Sequence, residues 1–469
     1  MPSPPLSKQL LGIAFCFSLL ACSDGADQPD SNQDANAGYL RLLGAQLIIG
    51  NGDVIENGEM LIRDGLITYS GRIRERQLPG PVTELNLTGK TIMPAMIDAH
   101  AHLGYEGYTS WGGDNYSREN MIDHLQRYAY YGFSAVFSAG SDPDEFSLEL
   151  QRSQAEGEVG GARFLFGAGM APPGQGPNNQ FLTHALAVEE KTGMTILRGA
   201  DSPEQGRAAV REIAEKGISV VKIWVDDRGG SQVKLTPDIY RAIIDEARKQ
   251  NLAVFVHQQY TEDMPDLIRA GASGFLHGRI GPMMNDDLVN QLKQANVFVV
   301  PNLGLGELRR ERVADDPFLQ QTVAAEVVTR LGENFDARRQ PTTPDADAEQ
   351  QLKEAFSKLV DAEVDIILGT DAGAVPDHFF GYSGHRELEI YVRLGMTPMQ
   401  ALVAATGKPA QRLGLNDLGT LTVGKSADFI ILDADPLEDI RNTQSIFEVY
   451  RQGQSLDREA MRRQWVSGD

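Results

Sequence analysis

Eight short apolar runs, at residues 91–97, 134–138, 163–166, 219–224, 253–257, 274–277, 297–301 and 365–368, punctuate the middle of this 469-residue chain. Polar or glycine-rich sequence bounds each of them, and helix-like stretches separate most of them. Ser202-Pro203 opens one such stretch with an N-cap hydroxyl and a proline at the first helical position, and Thr236-Pro237 and Thr397-Pro398 open others in the same way. Strand and helix alternating eight times specify a parallel sheet of the α/β class. At this length such a sheet closes on itself, so the expected fold is a (β/α)8 TIM barrel. Two connections, 167–217 and 303–364, are longer than the rest. Extra length after a barrel strand usually builds the walls of a pocket.

The ends of the chain read differently. Residues 39–93 are short strand-like runs joined by Asn51-Gly52, Asp64-Gly65 and Ser70-Gly71, which are hairpin signals. A similar piece returns at 419–432. We expect the two ends to form one small β-sandwich flanking the barrel. That divides the chain into 39–93, a barrel over 94–411, and 412–469, which adds the second part of the sandwich and a tail.

Upstream, Lys8 precedes an apolar run over 10–20 that is too short to span a bilayer comfortably and reads as a targeting segment. Its end, Leu19-Leu20-Ala21-Cys22, resembles the lipobox of bacterial lipoproteins. That resemblance implies removal of residues 1–21 and lipidation of Cys22. Ser23, standing where Asp would retain such a protein at the inner membrane, resembles the outer-membrane sorting pattern, facing the periplasm. Residues 22–38 are acidic and poor in apolar side chains, as a flexible tether would be. Cys16 and Cys22 are the only cysteines, so nothing downstream can form an internal disulfide or a thiolate metal site. The formal net charge of −22 repels phosphate, so nucleic acid is not an expected partner. Contact with a membrane is expected through the N-terminal lipid only. A homo-oligomer is compatible with the sequence, which does not specify one.

The chemistry gathers at strand ends. Ile97-Asp98-Ala99-His100-Ala101-His102 places two imidazoles two residues apart, hence on one face of a strand, in a chain with only eight histidines. Lys222 interrupts the apolar run 219–224, where an ammonium is costly unless neutralised or paired. It could alternatively snorkel to the barrel mouth or pair with Asp226. His257 and His277 close two successive predicted strands. Asp371 follows the last run, before Ala372-Gly373, where an Asx turn is the rival reading. His124 and His385 fall on predicted helices, and His184 lacks strand-end context. His378 lies just beyond Asp371, within reach of a substrate.

Six residues in this order, on strands one, four, five, six and eight, resemble the amidohydrolase superfamily. The segments 419–436 and 385–406 are similar to its prolidase and imidazolonepropionase-like branch, and the resemblance covers about residues 40–455. It implies that His100, His102 and Asp371 bind a buried divalent metal, that His257 and His277 bind a more exposed one, and that Lys222, converted to a carbamate by CO2, bridges them. The lysine favours two-metal dipeptidases and amidases over single-metal members. Imidazole and carboxylate donors suit zinc, with manganese and iron as alternatives. One departure stands out: His257-Gln258-Gln259-Tyr260 and Asp226-Asp227-Arg228-Gly229-Gly230 match no single substrate type.

The expected enzyme is therefore a metal-dependent hydrolase that cleaves an amide C–N bond of a small substrate, a dipeptide or N-acyl amino acid, by attack of a metal-bridging hydroxide. Asp371 would serve as general base and then acid. Arg228 or Tyr260 would hold a substrate carboxylate, and His378 is a further candidate contact. Two alternatives compete. The same machinery could act on a cyclic amide, a lactone or ester, or perform a one-metal deamination; or the protein could be a non-catalytic binding lipoprotein.

Overall fold

The computed structural model describes residues 38–277, 280–307, 310–338 and 345–467. The leader, Cys22 and the tether up to residue 37 lie outside the described residues. Both chain ends build the flanking sheet. The N-terminal part contributes β1 (Tyr39–Ile48), β2 (Val54–Arg63), β3 (Leu66–Arg72), β4 (Val82–Asn86) and β5 (Thr91–Pro94). The barrel follows with β6 (Met96–Ala101), β7 (Phe133–Ala139), β8 (Arg163–Ala171), β9 (Leu197–Gly199), β10 (Val220–Val225), β11 (Ala253–Gln258), β12 (Gly274–Leu276) and β13 (Phe298–Val300). The chain then returns to the flank as β14 (Phe429–Leu432), β15 (Ile446–Arg451) and β16 (Gln454–Ser455).

The flanking sheet runs β16-β15-β14-β5-β1-β2-β3, with β4 also on β1. It curls until Leu66 bridges Ser426, and it encloses its own core of Leu47, Met60, Ile92, Phe429 and Ile431. The two-ended sandwich thus takes the form of one curled sheet. The predicted first strand, 91–97, is in fact two. Thr91–Pro94 pairs with β14 and β1, and at Ala95 and Met96 the hydrogen-bond partners change to Asp428 and Gly132. Hydropathy could not show the break, because both halves are buried throughout.

The barrel strands run in parallel in the order β6-β7-β8-β10-β11-β12-β13, and β9, inside the first long connection, pairs with the end of β8. The eighth predicted strand is a bridging segment rather than a full ladder. Val299 N donates to Asp365 O at 2.8 Å and Ile367 N to Val299 O at 3.0 Å on one side. Ala99 N donates to Leu368 O at 2.9 Å on the other, so the ring closes against β6. Phe137, Val220, Phe255, Phe298, Val300 and Ile367 fill the interior. Val221, Ile223 and Val225 face the helical layer, so strand alternation turns Lys222 inward with Val220.

On β6 the alternation is broken on purpose. Ile97 and Ala99 face inward, yet Ala101 belongs to the helix-facing core, and the ladder with β7 is irregular between Asp98 and Ala101. A bulge of this kind re-aims side chains at a barrel rim. Here it leaves Asp98 facing the helix Arg118–Tyr130 while His100 and His102 face the mouth. Ser202 and Thr397 cap their helices as expected, whereas the Thr236 hydroxyl turns to the Asp238 carboxylate. The two long connections fold mainly into the helices Asn179–Thr192, Pro203–Glu215, Ala325–Ala337 and Ala346–Asp361. The C-terminal helix Arg458–Ser467 docks on the barrel through Trp465, whose indole N–H donates to Asp123 at 2.6 Å. Among the described residues no helix is long and apolar enough to cross a membrane.

Closure depends on Gly369. A Cβ there would lie 2.3 Å from Val300 Cγ1 and 2.9 Å from His100 Cβ. Gly369→Val should therefore cost about 1–3 kcal/mol in urea unfolding, as overpacking of a well-packed core does.

Candidate metal centre

Three side chains from opposite sides of the barrel seam converge at its C-terminal mouth. His100 and His102 end β6, and Asp371 ends the closing segment. His100 Nε2 lies 3.3 Å and His102 Nε2 3.1 Å from Asp371 Oδ1. One ligand atom from each of the three fits within a 4.8 Å cluster, and all three residues are buried. The seam itself sets this geometry. Thr370 N and Asp371 N both donate to His100 O, at 3.1 and 2.7 Å. Asp98 accepts from Thr370 Oγ1 at 2.6 Å, from Thr370 N at 3.1 Å, from His100 N at 3.0 Å and from Tyr128 OH at 2.7 Å. Asp371 sits at φ 62°, a left-handed conformation that a non-glycine residue adopts at a cost.

The other ring nitrogens are occupied. His100 Nδ1 lies 2.9 Å from Asn302 Oδ1, and His102 Nδ1 lies 2.8 Å from Ser141 Oγ. His100 Nε2 and Asp371 Oδ1, though buried and adjacent, have no hydrogen-bond partner. A buried imidazole nitrogen and a carboxylate oxygen facing each other without a hydrogen bond suit a cation between them, because a divalent ion would satisfy both. Burial holds the pKa of His100 well below the ordinary imidazole value, and that of His102 below it. Desolvation acts to raise Asp371, but His277, His100 and His102 outweigh it and hold the carboxyl well below the usual range. Neutral rings around one carboxylate are the protonation states that metal binding requires.

Lys222, His257 and His277 extend the cluster across the mouth. His277 Nε2 lies 3.5 Å from Asp371 Oδ2, and its ring sits 4.7 Å from that of His100 and 4.8 Å from that of His257. Burial brings His277 down to about 4. His257 Nε2 lies 3.0 Å from Asp226 Oδ2, and Arg228 Nε lies 3.0 Å from the same oxygen. Asp226 thus pairs with His257 and Arg228, and among the described residues no carboxylate lies within ion-pair distance of Lys222. Burial lowers Lys222 from 10.5 to about 7. Its stem passes against Gly140, where a Cβ would come within 2.9 Å of Lys222 Cβ and where φ is +79°. At this position only glycine combines the close approach with the backbone angle.

Of the proposed substrate contacts, Arg228 pairs with Asp226, and Tyr260 donates its hydroxyl to Asp227 at 3.0 Å. Both follow the C-terminal ends of their strands, β10 and β11. His378 is buried and lines a small pocket with Gly304, Tyr382, Ser383 and Arg386. His124, His184 and His385 lie on helices, away from the cluster. The first long connection reaches the site through Phe181, whose ring packs edge-on against His102 at 4.8 Å. Sequence reasoning missed Asp98, Ser141, Asp226 as the partner of His257, and Asn302. Asp98 stood two residues before the His-x-His motif as an acid in an apolar strand, which was signal enough. Asn302 and Ser141 carry no local mark.

A closed parallel barrel with two imidazoles and a carboxylate buried at its C-terminal mouth defines a metal-dependent hydrolase scaffold. The chain belongs to the amidohydrolase family, whose model matches residues 91–454. It is a hydrolase of carbon–nitrogen bonds. It is 24% identical over 422 residues to ochratoxinase of Aspergillus niger, covering 84% of this chain and 81% of that protein. It is 23% identical over 402 residues to imidazolonepropionase of Deinococcus deserti, covering 83% and 88%. A solved Xaa-Pro dipeptidase with methionine bound in its active site superposes with a TM-score of 0.66 at 23% identity, covering 89% of this chain and 99% of that one.

The buried lysine has a measurable consequence in metal-free protein. Its folded pKa, about 7, lies below its unfolded value, so the unfolded state binds the extra proton between the two. The penalty is full below pH 7 and fades as pH rises toward 10.5. Lys222→Met should therefore stabilise the metal-free protein by a few kcal/mol at pH 7 in urea titrations, with the gain vanishing near pH 10.

Proposed function

We propose that this protein is a two-metal amidohydrolase acting on the amide bond of a dipeptide or an N-acyl amino acid. The observation that carries the reading is the buried facing pair of His100 Nε2 and Asp371 Oδ1, joined by His102, within reach of a lysine that burial lowers to about 7, so that a large share of it is neutral at neutral pH. His100, His102 and Asp371 would hold one divalent ion, and His257 and His277 the second. For His257 to serve, its Nε2 must exchange Asp226 for the metal. Addition of the neutral Lys222 amine to CO2, with formation of the N–C bond and loss of one proton, would give a carbamate whose oxygens could serve as ligands to both ions. Bound divalent ions, zinc being the best match to these donors, polarise the scissile carbonyl and make a water acidic enough to react near neutral pH.

The protein's own groups do the rest. Asp371, the carboxylate that faces His100 and His102, accepts a proton from the attacking water and returns it to the leaving nitrogen. The surrounding neutral imidazoles add no competing acid at neutral pH. Arg228 offers a planar cation to a substrate carboxylate at the mouth, with Tyr260 beside it and His378 deeper in. The likeness to a Xaa-Pro dipeptidase supports the choice of amide over ester. The leader over 1–21 and Cys22 place this activity, in our reading, on a lipid-anchored protein of the outer membrane that faces the periplasm.

Two experiments test this. Lys222→Ala, expressed without residues 1–22, should bind fewer metal equivalents by elemental analysis and lose most of its turnover; unchanged content and turnover would remove the two-metal version. Asp371→Asn should lower kcat on the best substrate of a panel of dipeptides, N-acyl amino acids, lactones and esters by about 10²–10⁴-fold. A preference for lactones or esters in that panel would overturn the assignment to amides.

A further inference from the structure

Asn302 follows β13 by two residues and is buried, and its side-chain oxygen touches both halves of the candidate metal centre. Oδ1 lies 2.9 Å from His100 Nδ1 and 3.2 Å from the backbone N of His277, whose N–H it shares with Val300 O at 2.9 Å. A backbone N–H can only donate, so the atom facing it must be the oxygen; the flipped amide would set N–H against N–H. The same oxygen can only accept, so His100 Nδ1 carries the ring proton. That places the His100 lone pair on Nε2, the atom aimed at Asp371. The backbone supports this arrangement: Asn302 sits at φ 51° and His277 at φ 67°, both left-handed, at consecutive strand ends. Asparagine tolerates this conformation better than most residues with a Cβ.

We propose that Asn302 is a positioning residue that fixes the tautomer of His100 and, sharing the His277 N–H with Val300 O, couples the two candidate metal subsites through its amide oxygen. The inference rests on the metal reading above. Other buried groups near the site do less. Ser141 makes a comparable contact to His102, but a hydroxyl can donate or accept and leaves the tautomer open. Glu387 accepts from the backbone of Leu303 and Gly304, shaping the turn after Asn302 without touching a ligand residue.

Two variants separate the acceptor from the backbone. Asn302→Gly keeps the left-handed turn, which glycine adopts freely, and removes the oxygen. Asn302→Asp keeps an acceptor in the same place and also tolerates the turn. Zinc affinity is measured on the full chain lacking residues 1–22, by competition with a chromophoric chelator. The ring tautomer is read on metal-free protein by long-range ¹H–¹⁵N correlation with labelled histidine. Asn302→Gly should weaken zinc binding about 10–100-fold, as removing the outer partner of a ligating histidine does, and should release His100 from the Nδ1–H form. Asn302→Asp should restore both to near wild type. Equal zinc affinity and an unchanged His100 tautomer in Asn302→Gly would overturn the proposal while leaving the metal centre standing. Failure of the wild-type protein to bind zinc would end both. If Asn302→Asp is as weak as Asn302→Gly, the acceptor role is wrong and the amide N–H is what matters.

Discussion

The carboxylate of Asp98 is the constraint on which the site depends. It is buried at the seam where the barrel closes, and it accepts four hydrogen bonds, two from Thr370, one from the backbone of His100 and one from Tyr128. Burial pushes its carboxyl up to about 6 even with those donors in place. Through it the last element of the barrel is held in register with the first. His100 and Asp371 are 271 residues apart in sequence and 3.3 Å apart in space because this seam is fixed. A one-residue slip would turn Asp371 away from the mouth.

Electrostatics follow from burial. All four candidate histidine ligands have pKa values below the ordinary imidazole value, and Lys222 is lowered to about 7. Near neutral pH the four rings are therefore neutral around the Asp371 carboxylate, and Lys222 is about half so, an arrangement suited to a cation. The positive charge at the rim is Arg228, which Asp226 partners. Asp226 also touches His257, so the rim and the more exposed half of the centre share one carboxylate.

Much of this was legible in the residues alone. Eight apolar runs defined the barrel, and the His-x-His motif, two further strand-end histidines, a lysine in an apolar strand and an aspartate after the last run defined the cluster. Hydropathy could not see that residues 91–97 serve two sheets, because both halves are equally buried. Strict alternation could not see the bulge that separates Asp98 from His100 by face, because a bulge depends on pairing with β7 rather than on local sequence. The closing segment read as a strand but makes only bridges, its register being set by Asp98 and by the tight passage at Gly369. Asn302 was invisible for a different reason: its role depends on two residues, His100 and His277, that only the closed barrel brings to it.

Anomalous scattering from crystals grown with zinc tests the account most directly. Zinc held by this cluster would give a peak about 2.0–2.2 Å from His100 Nε2, His102 Nε2 and an Asp371 carboxylate oxygen, the distances zinc adopts with such donors. Crystals with zinc elsewhere, and with the His100 and Asp371 side chains still facing each other across an empty gap, would contradict it.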